Sequence, residues 1–157
     1  MIPTFRAAIR DDTPLILQFI RKLAEYERLL DEVTATEELL ESWLFDKNAA
    51  EVIFAVVGGK EVGFALFFHN FSTFLGQAGL YLEDLFVLPE YRGRGIGKSL
   101  FVELARTAVE RDYGRMDWWC LDWNEPAIEF YRSLGAKPMN DWTVYRLTDD
   151  ALRELAT

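Results

Sequence analysis

A strand that runs into a glycine-rich turn and emerges as an amphipathic helix constrains this chain most tightly. Residues 80–88 form a strand-like run, followed by Pro89-Glu90-Tyr91 and then Arg92-Gly93-Arg94-Gly95-Ile96-Gly97-Lys98-Ser99. Beyond the turn, Ile96, Leu100, Phe101, Leu104, Ala105 and Ala108 recur at helical spacing. Three kinds of phosphate loop use such a unit, and spacing separates them. A Walker loop needs a glycine where Arg92 stands. A dinucleotide fingerprint begun at Gly93 and Gly95 needs its third small residue at Lys98. What remains is R-x-x-G-x-G opening a helix. Its glycines let a ligand approach the backbone, and the unpaired N–H groups of the first turn converge with the positive dipole end behind them. Arg92, Arg94 and Lys98 add positive charge. The pattern predicts a pyrophosphate site; a turn whose cations only offset nearby acids is the plainer alternative.

The elements around this unit are legible from periodicity. A short apolar stretch over residues 5–9 precedes Thr13-Pro14, which reads as a cap followed by proline at the first helical position. Ile16, Phe19, Ile20, Leu23 and Leu30 then form one apolar stripe, so the helix is expected to end near Leu30. Thr34 and Glu37 have capping-box spacing ahead of a shorter helix carrying Leu39, Leu40, Trp43 and Leu44. Residues 51–57 and 61–68 read as an antiparallel hairpin turning at Gly58-Gly59-Lys60. Residues 116–121 read as a strand, 126–134 as a helix closed by Gly135, and 142–147 as a last strand before a polar terminal turn. The expected fold class is mixed α/β, a largely antiparallel sheet flanked by helices. With 157 residues and no linker or repeat, one domain over residues 1–157 is expected.

Charge and cysteine usage narrow the partners. The formal net charge is −9 and no block of Lys and Arg could neutralise a run of phosphates, so nucleic acid is not expected as a partner. The same field would concentrate a small cation, although a solubility surplus also accounts for it. Cys120 is the only cysteine, which excludes an intrachain disulfide, and no stretch reaches the length and apolarity of a membrane span. A cytoplasmic protein is expected. Cys120 reads as a buried small hydrophobe and His69 as a loop or strand-end residue; with one histidine and one cysteine, no metal site is expected.

The run Val87-Leu88-Pro89-Glu90-Tyr91-Arg92-Gly93-Arg94-Gly95-Ile96-Gly97 resembles the coenzyme A loop of the GCN5-related N-acetyltransferase (GNAT) superfamily. Leu80-Tyr81-Leu82-Glu83-Asp84-Leu85-Phe86-Val87, and Trp123-Asn124-Glu125-Pro126 with Phe130-Tyr131, resemble the branch of diamine, spermidine/spermine and thialysine acetyltransferases. Element order agrees over residues 5–155. The resemblance implies the acyl-CoA N-acyltransferase fold, a homodimer, and transfer of an acetyl group from acetyl-CoA to a primary amine by direct attack. It also implies that the coenzyme is held by Leu85, Phe86, Val87, Arg92, Gly93, Arg94, Gly95, Ile96, Gly97, Lys98, Asn124, Pro126 and Tyr131. Tyr26, Glu27, Glu83 and Asp84 would line the acceptor site, although a solvated helix face fits Tyr26 and Glu27 equally well.

Direct attack poses two proton problems. An alkylamine of pKa about 10.4 is an ammonium at pH 7, and presenting its free base costs roughly 4.6 kcal/mol. Glu83 is the family-matched base, and a carboxylate so poorly matched to an ammonium is expected to work through water. Tyr131 is placed by the resemblance as the acid that protonates the leaving thiolate. Glu83 and Asp84 are adjacent, so on a regular strand they face opposite sides of the sheet. Both serve one site only if the strand bulges, as members of the superfamily are described as doing. The acceptor is read as a polyamine, a diamine or a lysine-like amino acid. The sequence lacks a long insertion between the paired central strands and has Asp122 where the spermidine/spermine pattern has glutamate, which counts against a polyamine and makes a lysine-like amine a contender within the same class. The competing readings are a coenzyme-binding module without turnover, a P-loop phosphotransferase, and acetylation of aminoglycosides or protein lysines.

Overall fold

Both faces of one sheet are covered by helices, and that arrangement accounts for the order of elements. The computed structural model describes residues 2–157. Strand β1 (Thr4–Ala7) precedes helices α1 (Thr13–Tyr26) and α2 (Glu37–Glu41), the latter continued by a π-helical turn over Ser42–Asp46. Strands β2 (Glu51–Val57), β3 (Lys60–Ser72) and β4 (Gln77–Val87) follow, then α3 (Ile96–Glu110), β5 (Met116–Trp118), α4 (Glu125–Ser133) and α5 (Asp149–Leu155). The sheet order is β1-β2-β3-β4-β5, antiparallel except for the parallel β4–β5 pair. The mixed α/β expectation holds. No helix among the described residues is long and apolar enough to cross a membrane.

Helix α1 lies on one face, where Phe19 packs against Phe54 and stacks 5.1 Å from Phe64. Helix α3 covers the other. A Cβ built on Gly63 would come within 3.0 Å of the Phe86 carbonyl oxygen, so glycine relieves the contact with β4 beneath Leu100, and Phe101 meets Trp118 edge-on at 5.0 Å. Ile16, Phe54, Phe64, Leu80, Ile96, Leu100 and Leu104 are fully buried. The chain gathers into two compact units, one running to Trp119 and one over Cys120–Thr157.

Several boundaries differ from the sequence reading. Helix α1 starts at Thr13 with Asp12 as its cap, and it stops at Tyr26 rather than near Leu30. Arg28 adopts a left-handed φ of 62°, and the Leu29 N–H bonds back to the Ala24 carbonyl at 2.8 Å. That closure ordinarily announces itself by glycine, which is missing here. The capping box read from Thr34 does not form; the Thr36 hydroxyl accepts the Leu39 N–H instead. Strands β3 and β4 are longer than the expected runs 61–68 and 80–88 and form a second hairpin, because residues 69–72 pair with 77–80. His69 therefore lies inside β3, opposite Leu80.

The largest difference is at residues 142–147, which belong to no strand. Trp142, Val144 and Tyr145 are exposed there, so β-propensity finds no neighbouring strand to pair with. Strand β5 is likewise only three residues long, leaving Cys120 beyond it and half-buried rather than inside an apolar strand.

Candidate active site

The strand before the glycine loop is bulged at the two carboxylates. Leu82 pairs with Phe67 but Asp84 pairs with Leu66, so Glu83 is the extra residue on β4. The insertion inverts the alternation that follows. Without it Asp84 would share the α3 face with Leu80 and Leu82; with it, Asp84 joins Tyr81 and Phe86 on the α1 face. Glu27, just past the end of α1, is brought to the same place. Burial, then the charges of Glu83 and Glu27, push the Asp84 carboxyl up to about 7. Burial and then Glu83 also raise Glu27. Glu27, Glu83 and Asp84, all singled out in the sequence, thus form one carboxylate group. Tyr81, which sequence reasoning passed over, stacks on Phe68 at 5.1 Å and meets Trp119 edge-on at 6.2 Å. Its phenol is pushed to about 12, first by burial and then by Glu83, Asp117 and Asp84. Tyr81 pairs regularly with Phe68, and it is the bulge after it that brings Asp84 onto its face, which no single-residue signal marks.

The bulge also marks where two strands part. The β4–β5 ladder stops at Leu82 and Trp118. Residues 83–87, including Leu85, Phe86 and Val87, therefore make no ladder with β5, and backbone groups on that edge are available to a ligand.

The glycine loop has the local geometry of an anion site. Gly93 and Gly95 have φ of 75° and 80°, and Gly95 is the α3 N-cap, where it supplies no side chain to satisfy the first-turn N–H groups of Ile96, Gly97 and Lys98. A Cβ on Gly97 would meet nothing nearer than Val87 at 4.0 Å. The protein itself has no steric need for glycine there, so the space is open to something outside the chain. Arg94 reaches the Tyr91 ring at 5.4 Å. The Arg92 side chain is turned away from the loop: its Nε donates to the Val87 carbonyl at 3.0 Å.

In the second unit Asn124 is buried and caps α4, its Oδ1 accepting from the Ala127 N–H at 3.4 Å. Pro126 occupies the first turn, and Tyr131 lies beside Phe130, their rings 5.8 Å apart.

Comparison with known proteins identifies the family. Residues 16–136 match the Acetyltransferase (GNAT) family. The chain is 37% identical to a thialysine N-epsilon-acetyltransferase of Sus scrofa, covering 96% of this chain and 95% of that protein. It is 30% identical to an L-ornithine N5-acetyltransferase of Arabidopsis thaliana over 99% of this chain and 88% of the relative. Among solved structures, an integron cassette protein from the V. cholerae mobile metagenome superposes with a TM-score of 0.81 at 30% identity, covering 99% of this chain and 98% of that one. The bulged strand, the open glycine loop and the length of these matches lead to one conclusion: the chain belongs to the GNAT family and is an N-acetyltransferase.

Proposed function

We propose that the chain moves the acetyl group of acetyl-CoA onto a primary amine of a small cationic acceptor, a lysine-like or ornithine-like amino acid, a diamine or a polyamine. The observation that carries this reading is the bulge that gathers Glu27, Glu83 and Asp84 beside the glycine loop's strand. An ammonium is the ligand that relieves mutual repulsion among three carboxylates. Relatives named for thialysine and ornithine support the same acceptor class.

The coenzyme supplies the activated acetyl thioester. Gly93, Arg94, Gly95, Ile96, Gly97 and Lys98, together with the backbone of Leu85, Phe86, Val87 and Arg92, would hold it, and the family resemblance adds Asn124, Pro126 and Tyr131 to these residues. Tyr26, Glu27 and Asp84 hold the acceptor cation. Glu83 takes one ammonium proton through water, the free amine nitrogen bonds to the acetyl carbon as the carbon–sulfur bond breaks, Tyr131 gives its proton to the leaving thiolate, and the second proton lost by the nitrogen as the amide forms restores the Tyr131 phenol. The test is release of coenzyme A thiol from acetyl-CoA against thialysine, lysine, ornithine, putrescine, spermidine, spermine and aminoglycosides. Turnover with an amino acid or a polyamine is expected. Binding of acetyl-CoA without turnover on any amine would instead identify a silent coenzyme-binding module.

A homodimer in the cytoplasm belongs to the same proposal. The family resemblance implies the dimer, and the exposed apolar residues Trp142, Val144 and Tyr145 are the kind of surface that a second copy covers.

A further inference from the structure

The arginine that opens the glycine loop serves the other end of the site. The Arg92 guanidinium carbon lies 4.9 Å from the centroid of the Tyr26 ring and 4.9 Å from that of Phe86, while Nε donates to the Val87 carbonyl at 3.0 Å. Tyr26 is the last residue of α1, and Phe86 shares the α1 face of β4 with Asp84. One planar side chain therefore ties the end of the helix to the end of the strand. Glu27 follows Tyr26 directly, within the field of Glu83. Three carboxylates gathered here repel one another and would drive the end of α1 off β4. An arginine suits the tie because its delocalised, flat cation can meet two rings and still donate in its own plane, whereas a lysine offers one compact, strongly hydrated charge.

We propose that Arg92 is a positioning residue for the amine acceptor: by bridging Tyr26 and Phe86 it holds Glu27 in place beside Glu83 and Asp84, and so couples acceptor binding to the loop that starts at its own backbone. This rests on the acceptor reading of those three carboxylates. It differs from a phosphate-contact role for the Arg92 side chain, which its place in the motif would suggest.

Two measurements on the full chain test it. Arg92→Lys keeps the charge and should raise the amine KM about tenfold while leaving kcat and the coenzyme Kd within about twofold, the pattern of lost acceptor binding. Hydrogen exchange needs no acceptor: the amides of Glu27 and Leu29, bonded to the Leu23 and Ala24 carbonyls at 2.9 Å and 2.8 Å, should exchange faster in the variant. Tyr26→Leu cuts the same tie from its other end. It should reproduce the faster exchange, and the double variant should be no worse than either single one. A coenzyme Kd that rises while the amine KM holds would make Arg92 a phosphate contact and overturn the proposal. Unchanged exchange in Arg92→Lys would overturn it regardless of whether any amine is turned over. Faster exchange with an unchanged amine KM would show a tie without coupling, in which case Glu27 is not an acceptor residue.

Discussion

Asp84 is the residue at which stability and the proposed acceptor binding pull in opposite directions. Its carboxyl is raised from the ordinary carboxylate range to about 7 by burial and by Glu83 and Glu27. The unfolded chain therefore binds fewer protons than the folded one between about pH 4 and pH 7, and stability falls across that window as pH rises. The cost is fully present above it. Asp84→Asn should raise Tm by several degrees at pH 8, at about 2–4 °C per kcal/mol for a chain of this size, with the gain shrinking toward pH 5. The same substitution should weaken the acceptor, and in the unaltered protein the amine KM should fall as pH rises through about 7 and the carboxylate forms. A Tm difference that does not vary with pH would mean that Asp84 ionises normally. Tyr131 is tested differently: Tyr131→Phe should lower kcat well over tenfold with coenzyme affinity nearly unchanged, because proton donation to the thiolate is made only in the transition state. Equal kcat would remove Tyr131 from the mechanism.

At the scale of elements, the N-terminus of α3 trades helix stability for an open approach. A Cβ on Gly97 would meet only Val87 at 4.0 Å, so Gly97→Ala should stabilise the free protein by up to about 1 kcal/mol through helix propensity. It should nevertheless cost coenzyme affinity, and Gly97→Val should abolish binding, both read by calorimetry. Retained affinity in both variants would refute the loop assignment. The bulge shows how much of the site was legible beforehand. That Glu83 and Asp84 could serve one site only through a bulge followed from adjacency on a strand, and their place in a site came from the family resemblance. Which face each takes did not, because the face is set by the pairing of Leu82 with Phe67 and of Asp84 with Leu66, a relation between two strands. The end of α1 was misread for a similar reason: Arg28 in a left-handed conformation carries no sequence mark, and Leu30 continues the apolar stripe while lying in a short 3₁₀ turn.

For the molecule as a whole, a formal charge of −9 and a carboxylate group on one sheet face suit a cationic substrate. Light scattering should give about 36 kDa, twice the 18.2 kDa chain, for a closed two-fold pair. A mass near 18.2 kDa would leave Trp142 and Tyr145 exposed in solution and refute the dimer.

The sequence by itself determined a strand, glycine turn and helix suited to a pyrophosphate, and the class of chemistry came from the family resemblance that those residues carry. Glycine spacing, the Pro89 turn and the helical stripe from Ile96 to Ala108 are local patterns, and local patterns survive without knowledge of the partners they will meet. The mixed sheet and the hairpin at Gly58-Gly59-Lys60 were readable on the same grounds, whereas the pairing of residues 69–72 with 77–80 was not. Only the tertiary structure decided where charge and side chains converge. The bulge that turns Asp84 toward α1, the short β5 that leaves residues 83–87 without that neighbour, and the turn of Arg92 onto Tyr26 and Phe86 each depend on contacts between segments far apart in the chain. The expected strand at 142–147 failed for the same physical reason: strand propensity is a preference for a pleated, half-buried surface, and the neighbour that provides one is not encoded in the segment itself.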